Sequence, residues 1–203
     1  MTASTTFSTA AQYFSALVRS LPAPVWDGPG LGEWDLRSLV GHTTRAMSTV
    51  GEYLDRPATV VDVESPEEYY ARARAAIAAG RVTGIVERGR QAGLELGADP
   101  AAAVAAQVAA VLEKLGDGAD RPIRVMGGLG MRLHDYLPTR TFELAVHSLD
   151  IAAATGVDFP LPADVATETT QLAARAAVHL GESAPLLRAL TGRAPLPDGF
   201  SVV

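Results

Sequence analysis

Arg140, Glu143, His147 and Asp150 share one stretch of sequence, RTFELAVHSLD. Its apolar residues recur with the period of a helix. With Arg140 at 0° and about 100° per residue, Glu143 lies at about 300°, His147 at about 340° and Asp150 at about 280°, so four ionisable side chains share an arc of about 80°. Glu143 and His147 are related as i and i+4, the spacing at which side chains on adjacent turns reach one metal ion. Leu144, Ile151 and Val146 flank the arc. One reading is an ordinary solvated helix face. The other is a pocket, favoured by the narrowness of the arc and by a histidine where surfaces more often carry Lys, Glu or Gln.

A third donor would complete a site, and His42 is the candidate. On the helix that opens after Trp34, with Leu36 at 0°, the apolar residues Leu36, Leu39, Val40, Met47, Val50 and Leu54 span about 300° to 40°. His42 lies near 240°, just off that stripe, where a side chain points into a groove between helices. Alone, such a histidine reads as a hydrogen-bonded packing residue. With Glu143 and His147 it makes a His2Glu set with an open position, the pattern of catalytic rather than structural zinc. The chain contains no cysteine, which excludes disulfides, thiolate metal sites and a cysteine nucleophile. His134 and His179 have no clustered partners and read as surface or boundary residues.

The elements that must position these residues read as helix after helix. Phe7, Phe14, Leu17, Val18 and Leu21 form one face of a first helix that stops at Pro22. Asp35 is an N-cap for the second. Ser65-Pro66-Glu67-Glu68 starts a third, interrupted at Gly80 and Gly84 and reaching about Leu96. Asp99-Pro100 starts a fourth that ends near Gly116. Ile123 to Val125 is a short strand-like run before a glycine-rich turn, Gly127 to Gly130. Pro138 limits how much helix can precede the RTFELAVHSLD segment, and Gly156 ends it. Further helices are expected from about Pro162 to Leu180 and from Ser183 to Thr191, followed by an extended tail lying across the bundle. The expected fold is therefore all-α, one helical-bundle domain over residues 1–203.

With 203 residues, 48% of them hydrophobic, and a net charge of −6, the chain can bury a core. It lacks the basic footprint that nucleic acid or anionic lipid would require. The first twenty residues read as an amphipathic helix rather than a signal peptide, and the apolar stretch Pro100 to Leu115 is short for the roughly 20 residues of a membrane span. A cytoplasmic protein is expected. Gly127-Gly128-Leu129-Gly130 lacks the spacing and the strand–helix–strand setting of a dinucleotide site. Arg72, Arg74, Arg81, Arg88 and Arg90 read as a solvated helix face.

Residues 32–42, GEWDLRSLVGH, resemble the Trp-x-x-Arg-x-Leu-Val-x-His signature of the DinB-like helical-bundle superfamily, and more narrowly the mycothiol-dependent maleylpyruvate isomerase group of actinobacteria. Residues 140–150 resemble that group's Arg-x-x-Glu-x-x-Val-His-x-x-Asp signature, and the tail TGRAPLP, 191–197, has its look too. The resemblance implies a DinB-like four-helix-bundle core with additional short helices. It also implies a divalent metal, usually zinc, held by His42, Glu143 and His147.

Arg140 and Asp150 are then the candidates for catalytic support. Asp150 would orient a ligating imidazole, and Arg140 would hold Glu143 or an anionic substrate; a surface pair between Arg140 and Glu143 is the plainer alternative. The implied chemistry uses mycothiol or a similar low-molecular-weight thiol, activated as a metal-bound thiolate for addition to an electrophile, in an isomerisation or S-transfer. The isomerases of the group carry a further, smaller C-terminal domain, so the expectation here is the metal and thiol chemistry rather than maleylpyruvate isomerisation by name. The expected partners are a small thiol and an electrophile, with a homodimer left open. A zinc-dependent hydrolase and a non-catalytic metal- or ligand-binding bundle are the competing readings.

Overall fold

A computed structural model describes residues 2–203. The helices are α1 (Ala3–Ser20), α2 (Leu36–Tyr53), α3 (Pro66–Ala78), α4 (Ile85–Glu95), α5 (Pro100–Leu115), α6 (Leu133–Thr155), α7 (Ala163–His179) and α8 (Ser183–Leu190); two three-residue strands, β1 (Pro122–Arg124) and β2 (Gly130–Arg132), pair antiparallel. The starts signalled by side chains are where the sequence put them. Asp35 accepts from the Ser38 N–H at 2.7 Å, Ser65 from the Glu68 N–H at 3.2 Å, and Asp99 from the Ala102 N–H at 3.0 Å, each satisfying a donor that the first turn of a helix leaves free.

The fold is all-α around a four-helix core. α1 and α2 each pack against both α5 and α6. Phe7, Phe14 and Leu17 of α1, Leu39 and Met47 of α2, Val104 of α5 and Leu137, Leu144 and Ile151 of α6 are fully enclosed. α7 covers α1, α3 and α6, and α4 lies along α2. That last contact is backbone against backbone. A Cβ on Gly41 would sit 2.1 Å from the Gly93 nitrogen, and one on Gly93 would sit 2.8 Å from the Arg37 carbonyl oxygen. Only glycine permits this approach. Burial on α2 consequently extends beyond its apolar stripe to Gly41, Thr44 and Ala46.

The third helical segment does break at Gly80 and Gly84, which adopt φ of +67° and +69°, so α3 and α4 are separate. Two departures from expectation stand out. α6 begins at Leu133, leaving Pro138 inside the helix with a little more than one turn before it. That early turn is held from outside: the Leu133 N–H donates to the Arg121 carbonyl at 2.9 Å and the His134 N–H to Asp120 at 3.0 Å. The glycine-rich turn also feeds a second strand, which pairs with β1 through Gly130 opposite Arg124, and Gly130 is held on its other side by Asp62. Its N–H donates to the Asp62 carboxylate at 2.7 Å and its carbonyl accepts from the Asp62 N–H at 2.8 Å. The tail beyond α8 has no regular structure, and Arg74 of α3 donates to the Ser201 carbonyl at 2.8 Å. Among the described residues no single helix is long and apolar enough to cross a membrane; α4 and α5 reach that apolarity only as a pair bent by 102°.

Candidate metal centre

α2 and α6 cross with His42, Glu143 and His147 facing one another. One donor atom from each lies within 4.8 Å of the others, and the His147 Nε2 to Glu143 Oε2 distance is 3.5 Å. Tetrahedral zinc with bonds of about 2.0–2.2 Å spaces its ligand atoms about 3.3–3.5 Å apart, so one pair already has that spacing and the third donor needs a small inward movement. The His42 Nδ1 is buried without any hydrogen-bond partner among the described residues, which is costly unless something binds to that ring. Two neutral-capable imidazoles and a carboxylate are a suitable donor set for a divalent ion with one position left open.

Each donor is held by a neighbour. His147 Nδ1 lies 3.0 Å from Asp150 Oδ2 on the next turn, which leaves Nε2 toward Glu143 and the crossing. The Tyr70 hydroxyl reaches Glu143 Oε1 at 3.0 Å and the Thr139 carbonyl at 2.9 Å, which leaves Oε2 toward His147. His42 stacks on Trp34 with ring centroids 4.3 Å apart, and the Trp34 indole N–H donates to the Val86 carbonyl at 3.0 Å. A Cβ on Gly89 would meet that indole at 2.7 Å. Thus α4 braces Trp34, and Trp34 braces His42.

The electrostatics separate the two histidines. Burial, reinforced by the nearby His147 charge, lowers His42 to about 4, so it is a neutral imidazole near pH 7. For His147 burial opposes the charge, but hydrogen bonds to Asp150 and Glu143 outweigh it and hold the ring up at about 9. Burial likewise opposes the Glu143 carboxylate, while the His147 hydrogen bond and the Arg140 charge bring it down to about 2. In the metal-free protein the crossing therefore holds an imidazolium–carboxylate pair. A divalent ion bound there would take the place of the His147 proton.

The crossing opens on a cavity of about 590 Å³. Arg140 lines it, half-buried, with its guanidinium 5.0 Å from the Tyr136 ring centroid and 5.5 Å from that of Tyr69. Among the described residues it forms no ion pair with Glu143, whose carboxylate instead lies 3.5 Å from His147. Asp150 is not among the lining residues and sits behind His147.

Sequence reasoning missed several cavity residues. Arg45, Thr49 and Tyr53 line it together with His42, and the signal was there: they follow His42 at i+3, i+7 and i+11, one face of α2. Arg81 and Arg88 also line it, so the arginine series is not wholly a solvated face. Among the described residues Arg45, Arg81, Arg88 and Arg140 form no ion pair. In a chain of net charge −6, this is a local concentration of positive charge.

A model of the mycothiol maleylpyruvate isomerase N-terminal domain family matches residues 7–152, and the chain belongs to that family. The matched span holds all three donors, Arg140, Asp150 and the arginines of the cavity. Neither the curated proteins nor the solved structures give a match.

Proposed function

We propose that this member of the mycothiol maleylpyruvate isomerase N-terminal domain family is a metal-dependent enzyme that promotes addition of a low-molecular-weight thiol, mycothiol or one like it, to an anionic electrophile in the cytoplasm. The observation that carries the reading is the His42, Glu143 and His147 cluster opening on a cavity lined by four arginines that form no ion pair among the described residues. His42, Glu143 and His147 would hold the ion, most simply zinc, and Asp150 would keep the His147 ring turned toward it. A divalent ion in that position supplies Lewis acidity that lets a thiol ionise near neutral pH.

The remaining work falls to the chain's own side chains and to the thiol. Because the protein has no cysteine, the sulfur must come from a diffusible cosubstrate. Arg140, with Arg45, Arg81 and Arg88, binds the negative end of the electrophile, and a guanidinium suits a carboxylate because it donates two parallel hydrogen bonds. In an isomerisation the sulfur forms a bond to the β-carbon of a conjugated double bond as the π pair shifts onto the adjoining carbonyl or carboxyl group. Rotation about the resulting single bond and expulsion of the thiolate restore the double bond with the opposite geometry and return the thiol unchanged. In an S-transfer the adduct instead takes up a proton at the α-carbon and leaves.

The test is metal analysis of the purified protein followed by turnover of cis-configured unsaturated acids with and without added thiol. The proposal expects stoichiometric metal and turnover that depends on both. Thiol-independent hydrolysis would assign the site to a zinc hydrolase, and a protein that neither contains nor takes up metal would overturn the enzyme reading.

A further inference from the structure

We infer that the site has a second, apolar compartment that receives the hydrocarbon end of the electrophile, so that the substrate class is an amphipathic conjugated carboxylate, aryl or alkyl at one end and anionic at the other. The identification of that ligand as a substrate rests on the thiol-addition reading; the compartment's preference for it does not.

A cavity of about 510 Å³ lies beside the first, walled by Val63, Ala75, Ala76, Leu129 and Tyr69. Its size is in the range of small-molecule sites, and its apolar walls are their usual material. Arg81, Val82 and Met126 line both cavities, so the two are separated by side chains and not by a helix. A second link is Tyr69, which faces the apolar cavity while Arg140 of the charged cavity packs over its ring at 5.5 Å. The partition is built from connectors: Arg81 and Val82 lie between the left-handed Gly80 and Gly84, and Met126 lies in the turn between β1 and β2.

The two cavities divide their chemistry sharply. The first has four guanidiniums that form no ion pair among the described residues. In the second, Arg72 is already engaged, 2.7 Å from Glu68 and 3.0 Å from the Asp62 carbonyl, so among the described residues the one lining cation outside any ion pair is Arg81, on the boundary. A hydrophilic thiol placed in the second cavity would leave its polar groups without partners, which is unfavourable. A hydrocarbon group gains by leaving water there. A β-substituted acrylate fits both at once. Its aryl or alkyl group occupies the apolar cavity, and its double bond and carboxylate lie among the arginines beside the His42, Glu143 and His147 cluster.

The experiment compares trans-cinnamate with trans-crotonate, which carry the same charge and the same conjugation and differ in a phenyl against a methyl group. Binding to the full chain is measured by titration calorimetry without thiol, on metal-free and zinc-loaded protein. Cinnamate is expected to bind at least about tenfold more tightly than crotonate, in line with the larger apolar area removed from water. Ala76→Trp, which fills the apolar cavity, is expected to abolish that advantage and leave crotonate binding in place, which also reports that the variant is folded. Equal affinity for the two acids, an advantage that survives Ala76→Trp, or no binding of either acid would each overturn the inference. If the cinnamate preference is seen but thiol-dependent turnover is not, the compartment stands and the thiol-addition reading fails.

Discussion

The two walls of the charged cavity are built differently. The floor is two long helices, α2 and α6, whose side chains are locked by specific partners: Trp34 on His42, Tyr70 on Glu143, Asp150 on His147. The roof is the α3–α4 connector and the first turn of α4, where Arg81 and Arg88 are exposed and the backbone turns at two left-handed glycines. The floor suits a group that must be held in one geometry, since ligation tolerates errors of only a few tenths of an ångström. The roof suits a group whose shape varies, since exposed guanidiniums on a connector can follow a carboxylate. On the proposed function, the difference teaches where each kind of change will be felt: on the floor in metal binding, at the roof in substrate binding.

The largest effect should come from emptying the floor. His42→Ala and His147→Ala each remove one of three donors, and metal content measured by atomic emission is expected to fall from about one ion per chain to near zero. If His42→Ala retained its metal, α2 would not contribute to the centre and the floor would be α6 alone. A change of comparable severity reaches the floor through stability. Gly41→Val drives a side chain into the Gly93 backbone, with a destabilisation of about 3 kcal/mol. For a chain of this size that lowers the melting temperature by about 6–12 °C, which differential scanning calorimetry would show.

A smaller effect distinguishes orientation from ligation. Asp150 lines no part of the cavity and touches His147 through Nδ1, so Asp150→Asn leaves every donor in place. Loss of such an orienting carboxylate typically costs about ten- to a hundredfold in metal affinity. Competition against a chelating dye should find that loss with a nearly unchanged melting temperature. An unchanged affinity would remove Asp150 from the site and leave it as a surface partner of His147.

The floor was legible in the sequence because a helix converts spacing into direction. Arg140, Glu143, His147 and Asp150 share an arc by arithmetic, and His42 stands off an apolar stripe by the same arithmetic. Arg45, Thr49 and Tyr53 could have been found with it, since they continue the His42 face of α2. The roof was not legible. Arg81 lies in a connector with no period to betray it, and where α4 carries Arg88 is decided by contacts far away in sequence, Gly41 on Gly93 and Trp34 on Gly89. For the same reason β2 escaped notice. Three residues beginning with glycine carry no strand pattern, and only pairing with β1 and Asp62 makes them one. The early start of α6 likewise depends on Asp120 and Arg121, which sit outside the helix they support.

The mildest prediction concerns the roof and is the one that tests the contrast most directly. Arg88 is exposed, makes no ion pair among the described residues and donates to the Thr83 carbonyl in the connector that precedes α4. An exposed guanidinium meeting a carboxylate gains about 0.2–1 kcal/mol, so Arg88→Gln should raise the KM for an anionic electrophile by about one and a half- to fivefold. Stability should stay within about 0.5 kcal/mol, as for other surface changes, and metal content should not move. Raised salt should weaken the wild type toward the variant, because screening acts on exposed charges and leaves the buried floor nearly untouched. A fall in metal content in Arg88→Gln would show that roof and floor are one mechanical unit, coupled through Trp34, and would collapse the distinction between a wall that holds the ion and a wall that reads the substrate.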